Sequence, residues 1–141
     1  MGETFKFACG CTLPIVDGKL ELDRNNLNEF CERTWDLYRK GQTQSIFQLE
    51  SFFAKNWTKE LCPSSIKDVA ALISIVRPGT LKAVDENGES MTRVFCKRKN
   101  GLADYEKEGA FNELLKETFQ IIIFQEDLMK ICKELAGFTA K

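Results

Sequence analysis

Apolar and polar positions change rhythm along this chain. Residues 5–23 read as extended: Lys19-Leu20-Glu21-Leu22-Asp23 alternates with period two, and residues 12–16 and 19–22 flank Asp17-Gly18, a dipeptide that favours the tight turn of a β-hairpin. A polar stretch, Asp23-Arg24-Asn25-Asn26, follows. From about residue 32 the rhythm is helical. Thr34 is placed to cap a short helix through Trp35, Leu37 and Tyr38, which Gly41 stops in a left-handed conformation. A second helix is expected over residues 50–61, ending before Pro63. A third starts at Ser65, with Asp68 as acidic partner, and carries Ile66, Val69, Ala70, Ile73 and Val76 until Pro78-Gly79 stops it. Ala71, Leu72 and Ile75 make it apolar nearly all round, which predicts burial.

Residues 82–109 are a polar interval rich in Gly, Glu and Lys, with turn signals at Asn87-Gly88 and Asn100-Gly101. A helix over 111–117 follows, then an extended apolar piece over 119–124. The last helix spans 125–136, with Leu128, Met129, Ile131, Cys132 and Leu135 as its buried face and Gly137 as its stop. The pattern is mainly α with a short N-terminal β-hairpin, divided into segments 1–25 and 26–141.

Composition sharpens this picture. A chain of 141 residues with 43% hydrophobic and 11% aromatic residues holds enough apolar material for one packed core and excludes disorder for its bulk. Lys and Arg number 20 against 21 Asp and Glu, so the net charge of −1 offers no global basic field to nucleic acid. The longest apolar runs fall far short of the ~20 residues of a membrane span, and residues 1–6 lack a secretory core. A soluble cytoplasmic protein with no membrane partner is expected.

The absence of histidine removes His-based acid–base catalysis, Ser–His and Cys–His nucleophile pairs, and Cys/His zinc sites. Six cysteines, at 9, 11, 31, 62, 96 and 132, are spread through the chain and are expected as reduced thiols. Cys9-Gly10-Cys11 is the one metal-like pair. Its single intervening residue and the lack of a second pair favour a tight turn carrying two thiols, so no metal ligand and no bound cofactor are assigned. The acidic pairs Asp85-Glu86 and Glu126-Asp127 read as solvated turn and helix-end charges, because adjacent side chains diverge. No P-loop, dinucleotide fingerprint, nucleophile elbow or EF-hand loop is present, so an independent small enzyme has little support.

Two groups of cations are candidates for phosphate contact. Arg93, Lys97, Arg98 and Lys99 form a basic cluster that can meet nucleic acid, or serve only as a solubilising face. Arg77 precedes Pro78-Gly79, which fix the backbone beneath a guanidinium fork suited to phosphate oxygens. Satisfying carbonyls at the end of its own helix is an equally good role for it.

Three stretches carry a resemblance. Gln44-Ser45-Ile46-Phe47-Gln48-Leu49-Glu50-Ser51 resembles the G-V-F-Q-L-E-S signature of the C-family DNA polymerases, the bacterial DNA polymerase III alpha subunits and their phage relatives. Asp68-Val69-Ala70-Ala71-Leu72-Ile73-Ser74-Ile75-Val76-Arg77-Pro78-Gly79 resembles their D-x-x-A-L-x-A-L-Y-R-P-G-P helix. Residues 115–129, from Leu115-Lys116-Glu117-Thr118-Phe119-Gln120 to Phe124-Gln125-Glu126-Asp127-Leu128-Met129, resemble L-K-E-T-Y-G-I-I-x-Y-Q-E-Q-V-M, and Leu135-Ala136-Gly137-Phe138-Thr139 continues as L-A-G-Y-T. The motifs stand in the family's order and the match spans roughly residues 34–139.

The resemblance implies a helical fingers-type domain that contributes to nucleotide and primer–template binding. By carry-over, Arg77, Pro78 and Gly79, with Phe124, Gln125 and Glu126, would form the nucleotide-facing surface. Departures are Thr80 for the second proline, Gln120 for the glycine, Phe124 for the tyrosine, and Phe53-Ala54 for Gly-Met. The family's palm aspartates and PHP domain have no counterpart here, so no residue is assigned a catalytic role. The expected role is a fragment or split-enzyme piece, inactive alone. Its partners would be a palm-bearing chain, DNA and dNTP, with Mg²⁺ held only by that partner. The alternative is a stand-alone, non-catalytic replisome-interacting protein or polymerase mimic.

Overall fold

The computed structural model describes residues 3–20 and 31–139. Strands β1 (Thr4–Lys6), β2 (Thr12–Val16) and β3 (Lys19–Leu20) form an antiparallel sheet in that order. The Asp-Gly turn falls where expected. Asp17 and Gly18 adopt φ of 51° and 71°, the left-handed pair of a type I′ turn, and set Val16 opposite Lys19 and Ile15 opposite Leu20. The polar stretch over 23–26 and the division near residue 25 lie outside the described residues.

Helix α1 (Glu32–Arg39) begins earlier than expected: Cys31, not Thr34, is the N-cap. Glu32 in its first turn pairs with Arg39 at 2.9 Å, and Arg39 also reaches Asp36 at 2.9 Å. Gly41 stops the helix at φ 65°, as predicted. A Cβ there would lie 3.3 Å from the Lys55 carbonyl and strike the Lys59 side chain, so glycine also permits the close approach of α1 to α2 (Phe52–Leu61).

Short side chains set the next boundaries. Ser51 Oγ accepts from Ala54 N at 3.1 Å to start α2, and Ser65 Oγ accepts from Asp68 N at 3.1 Å to start α3 (Ile66–Ile75). Helix α3 buries Ala71, Leu72 and Ile75, yet Ile66 and Ala70 are exposed, so the expected all-round burial gives way to one open face. Pro78-Gly79 restarts the chain as well as ending α3: Pro78 occupies the first turn of α4 (Pro78–Lys82), where its missing N–H has no helical partner to lose.

The polar interval over 82–109 contains α5 (Met91–Lys99), capped by Ser90 and burying Thr92, Val94, Phe95 and Cys96. The helix expected over 111–117 splits into α6 (Ala110–Leu114) and a 3₁₀ turn at Lys116–Thr118. Phe119 and Gln120 then take left-handed φ of 53° and 64° and turn the chain toward α7 (Gln125–Glu134). The buried face expected for α7 stands mostly open: Leu128, Met129 and Leu135 are exposed and Asp127 is its buried residue.

Leu49, Leu61, Leu72, Ile75, Phe95 and Ile121 anchor the core, drawn from α2, α3, α5 and their connections. Phe95 meets Phe119 edge-on with ring centroids 5.3 Å apart. All six cysteines are free thiols, and burial pushes the Cys96 thiol up to about 12. Among the described residues no helix is long and apolar enough to cross a membrane.

Candidate functional site

The resemblance motifs converge on α3, but at its two ends. Ten residues of helix, about 15 Å, separate them.

At the C-terminal end the chain breaks at Val76 and Arg77. The carbonyl of Ile75 would be orphaned there, and two hydroxyls satisfy it: Thr92 at 2.9 Å and Thr80 at 2.7 Å. Thr80, which stands where the family has proline, also lies 3.3 Å from the Arg77 carbonyl, and Leu81 N bonds that carbonyl at 3.0 Å. The backbone beneath Arg77 is thus fixed from three directions. Its side chain is exposed and, among the described residues, has no ion-pair or hydrogen-bond partner. Pro78 and Gly79 lie exposed beside it. Arg77 lines a cavity of about 310 Å³ with Gln48, Ser51 and Phe53, so the first motif and the Arg-Pro-Gly motif share one cleft. Gln48 reaches it from a left-handed φ of 65°, within consecutive turns held by the Thr43 hydroxyl on the Leu49 carbonyl.

At the N-terminal end, Phe124 and Glu126 line a second cavity of about 510 Å³ with Lys67, Asp68, Phe119 and Lys130. Asp127 fixes this corner: its Oδ2 accepts from Phe124 N at 3.0 Å and from Ile123 N at 3.3 Å. Gln125 is exposed on the first turn of α7. The structure therefore does not place Phe124 and Glu126 in the cleft of Arg77. Lys67 and Lys130, on the rim of the aromatic cleft, were not singled out from sequence, where isolated lysines on helix faces carry no signal.

The four cations of α5 do not form a patch. Arg93 Nε pairs with Glu60 at 2.9 Å and its guanidinium lies 5.7 Å from the centre of the Trp57 ring. Lys97 pairs with Glu89 at 2.6 Å. Arg98 donates to the Phe119 carbonyl at 2.8 Å and lies over Tyr105, holding the left-handed turn. Lys99 donates to the carbonyls of Leu61 and Cys62 at 3.2 and 2.6 Å and meets Asp68 at 3.3 Å, tying the end of α2 to the start of α3. Each finds its partner inside the chain.

The acidic pairs are local devices as well. Asp85 accepts from the backbone N–H groups of Glu89 at 2.8 Å and Asn87 at 3.0 Å, which hold its carboxyl below the usual range and shape the turn at Gly88. The Cys9-Gly10-Cys11 turn has an unforeseen neighbour. Cys31, 20 residues on from Cys11, brings its sulfur to within 4.8 Å of both. Hydrogen bonding to Cys9 and Cys31 pushes the Cys11 thiol up to about 12, while Thr34 holds that of Cys31 down to about 7.

A family model described as the bacterial DNA polymerase III alpha subunit finger domain matches residues 13–141. The DNA polymerase III subunit alpha of Rickettsia bellii is 31% identical over 137 residues, which take in 97% of this chain and 11% of that protein. The corresponding subunit of Aquifex aeolicus is 37% identical over 110 residues, 76% of this chain and 9% of its own length. That of Pseudomonas aeruginosa is 36% identical over 113 residues, 75% and 9%. The chain spans about a tenth of the length of these relatives.

Proposed function

The chain belongs to the family of bacterial DNA polymerase III alpha subunit finger domains, and we propose that it works as the fingers module of a replicative polymerase, helping to hold the incoming nucleotide and the primer–template. The observation that carries this reading is Arg77: an exposed guanidinium without a partner among the described residues, on a backbone locked by Thr80 and Thr92, in the cleft it shares with Gln48 and Ser51. A preorganised fork of this kind suits the phosphate oxygens of a triphosphate, where charge-assisted hydrogen bonds are strongest. Phe124, in the other cleft, offers an aromatic face to a base, with Lys67 and Lys130 beside it for the backbone.

Phosphoryl transfer itself requires carboxylates that hold magnesium ions and align the attacking hydroxyl. We assign those groups to a palm-bearing chain, so this domain is inactive alone, whether as a fragment or as one part of a split enzyme of phage type. Phe47 and Phe52, 81% and 82% exposed, are apolar surface suited to docking against that chain. The same phenylalanines favour a second reading, in which the domain occupies a polymerase surface without supporting synthesis.

Reconstitution separates the two. The domain is mixed with an alpha-subunit segment that carries the palm but lacks fingers, on a primed template with dNTP and Mg²⁺. The fingers reading expects primer extension only when both are present. A mixture that stays silent, together with inhibition of an intact alpha subunit by the added domain, would establish the mimic instead.

A further inference from the structure

Among the described residues, the turn of the N-terminal hairpin comes close to the start of α1 at a group of sulfur atoms. A weak contact, Arg33 Nη1 to the Ala8 carbonyl at 3.5 Å, links them. Beside it the three thiols of Cys9, Cys11 and Cys31 converge, each sulfur within 4.8 Å of the others. We propose that Cys9, Cys11 and Cys31 form a binding site for a thiophilic divalent ion, with zinc as the natural occupant.

The geometry is close to what zinc demands. Tetrahedral zinc with Zn–S bonds of about 2.3 Å sets its sulfurs about 3.8 Å apart, so the three thiols need draw in by an ångström or less. The backbone is shaped for convergence. Phe7 N bonds the Cys11 carbonyl at 2.8 Å and Gly10 N bonds the Phe7 carbonyl at 2.8 Å, closing a knuckle around the first two cysteines. Gly10, at φ 91°, turns the chain between them so that both side chains emerge on one side. Cys31 approaches as the N-cap of α1, an end of the helix that favours a thiolate. Cys9 is exposed and Cys11 and Cys31 are half-buried, so an ion can enter and solvent can fill the fourth position.

Binding replaces three S–H protons with three metal–sulfur bonds and releases the protons to solvent, with no change of oxidation state. The site then staples the hairpin to the helical body. Cys9 and Cys11 precede residue 13, where the finger-domain family model begins, and the site does not depend on the function proposed above.

The test uses the full chain, reduced and free of metal, titrated with Co²⁺ and then Zn²⁺. Expected are tetrahedral cobalt–thiolate absorption bands that saturate at one ion per chain and vanish when zinc displaces the cobalt. Cys31→Ser should weaken binding roughly a hundredfold or more, beyond the 10–100-fold that losing an outer-shell partner costs, whereas Cys132→Ser should leave it unchanged. Alkylation of the unaltered chain, mapped by mass spectrometry, avoids reliance on variants: zinc should protect Cys9, Cys11 and Cys31 but not Cys132. Absence of thiolate bands at one equivalent, bands that survive Cys31→Ser, or zinc that leaves these three thiols as reactive as Cys132 would each overturn the site.

Discussion

Arg77 and the cations of α5 bear the same charge and lie close in sequence, yet the fold uses them in opposite ways. Arg93, Lys97, Arg98 and Lys99 are engaged by carboxylates, carbonyls and rings of neighbouring segments, Arg93 and Lys97 at the surface. Arg77 turns outward from a backbone that two threonines immobilise. A run of positive residues is therefore a poor guide to a binding surface, because each member is judged by what faces it. Of the five cations compared, the arginine before Pro-Gly is the one without a partner among the described residues.

The comparison predicts that α5 cations matter for stability and Arg77 does not. Lys99→Ala has the largest expected effect. Its side chain is only 12% exposed and its ammonium serves two carbonyls and Asp68, so its loss should cost about 2–3 kcal/mol in denaturant unfolding. Arg77→Ala, on the surface, should stay within about 0.5 kcal/mol of the parent. Equal losses for both would break the contrast.

Gln120→Gly should act in the other direction. Gln120 holds a left-handed φ of 64°, and its buried Nε2 has no hydrogen-bond partner among the described residues. Glycine removes both costs, and a gain of about 1 kcal/mol is expected in the same unfolding experiment. A loss would mean that the side chain packs to more effect than its orphaned amide suggests.

The smallest effect concerns pH. Asp85 has its carboxyl held below the ordinary range by the Glu89 and Asn87 amides. A depressed folded-state value stabilises above the unfolded value of about 4 and is lost as pH falls through the folded value. The melting-temperature gap between parent and Asp85→Asn should be present at neutral pH and close in acid. A gap independent of pH would place its origin elsewhere.

Much of the fold was legible because its signals are local. Asp17-Gly18, Gly41, Ser65 and Gly137 act within a few residues of themselves, and each does so in the structure. Helix α5 was hidden because Lys97-Arg98-Lys99 masked the apolar spacing of Met91, Val94 and Phe95 behind the Ser90 cap. Pro78 was legible as a stop but not as a first-turn residue, since proline serves both. Around the site, the motifs pointed to Arg77 and Phe124 but not to their separation, which only the length of α3 determines. The Cys31 sulfur was invisible for the same reason, being brought to Cys9 and Cys11 by tertiary approach across 20 residues.

The most direct measurement of the central claim is steady-state primer extension by the reconstituted enzyme, with Arg77→Ala compared against Arg93→Ala. The account predicts that Arg77→Ala lowers kcat/KM for dNTP by about ten- to a hundredfold, the worth of a charged hydrogen bond of about 1.5–3 kcal/mol, while Arg93→Ala leaves it near the parent value. Unchanged kcat/KM in Arg77→Ala, or an equal fall in Arg93→Ala, would contradict it.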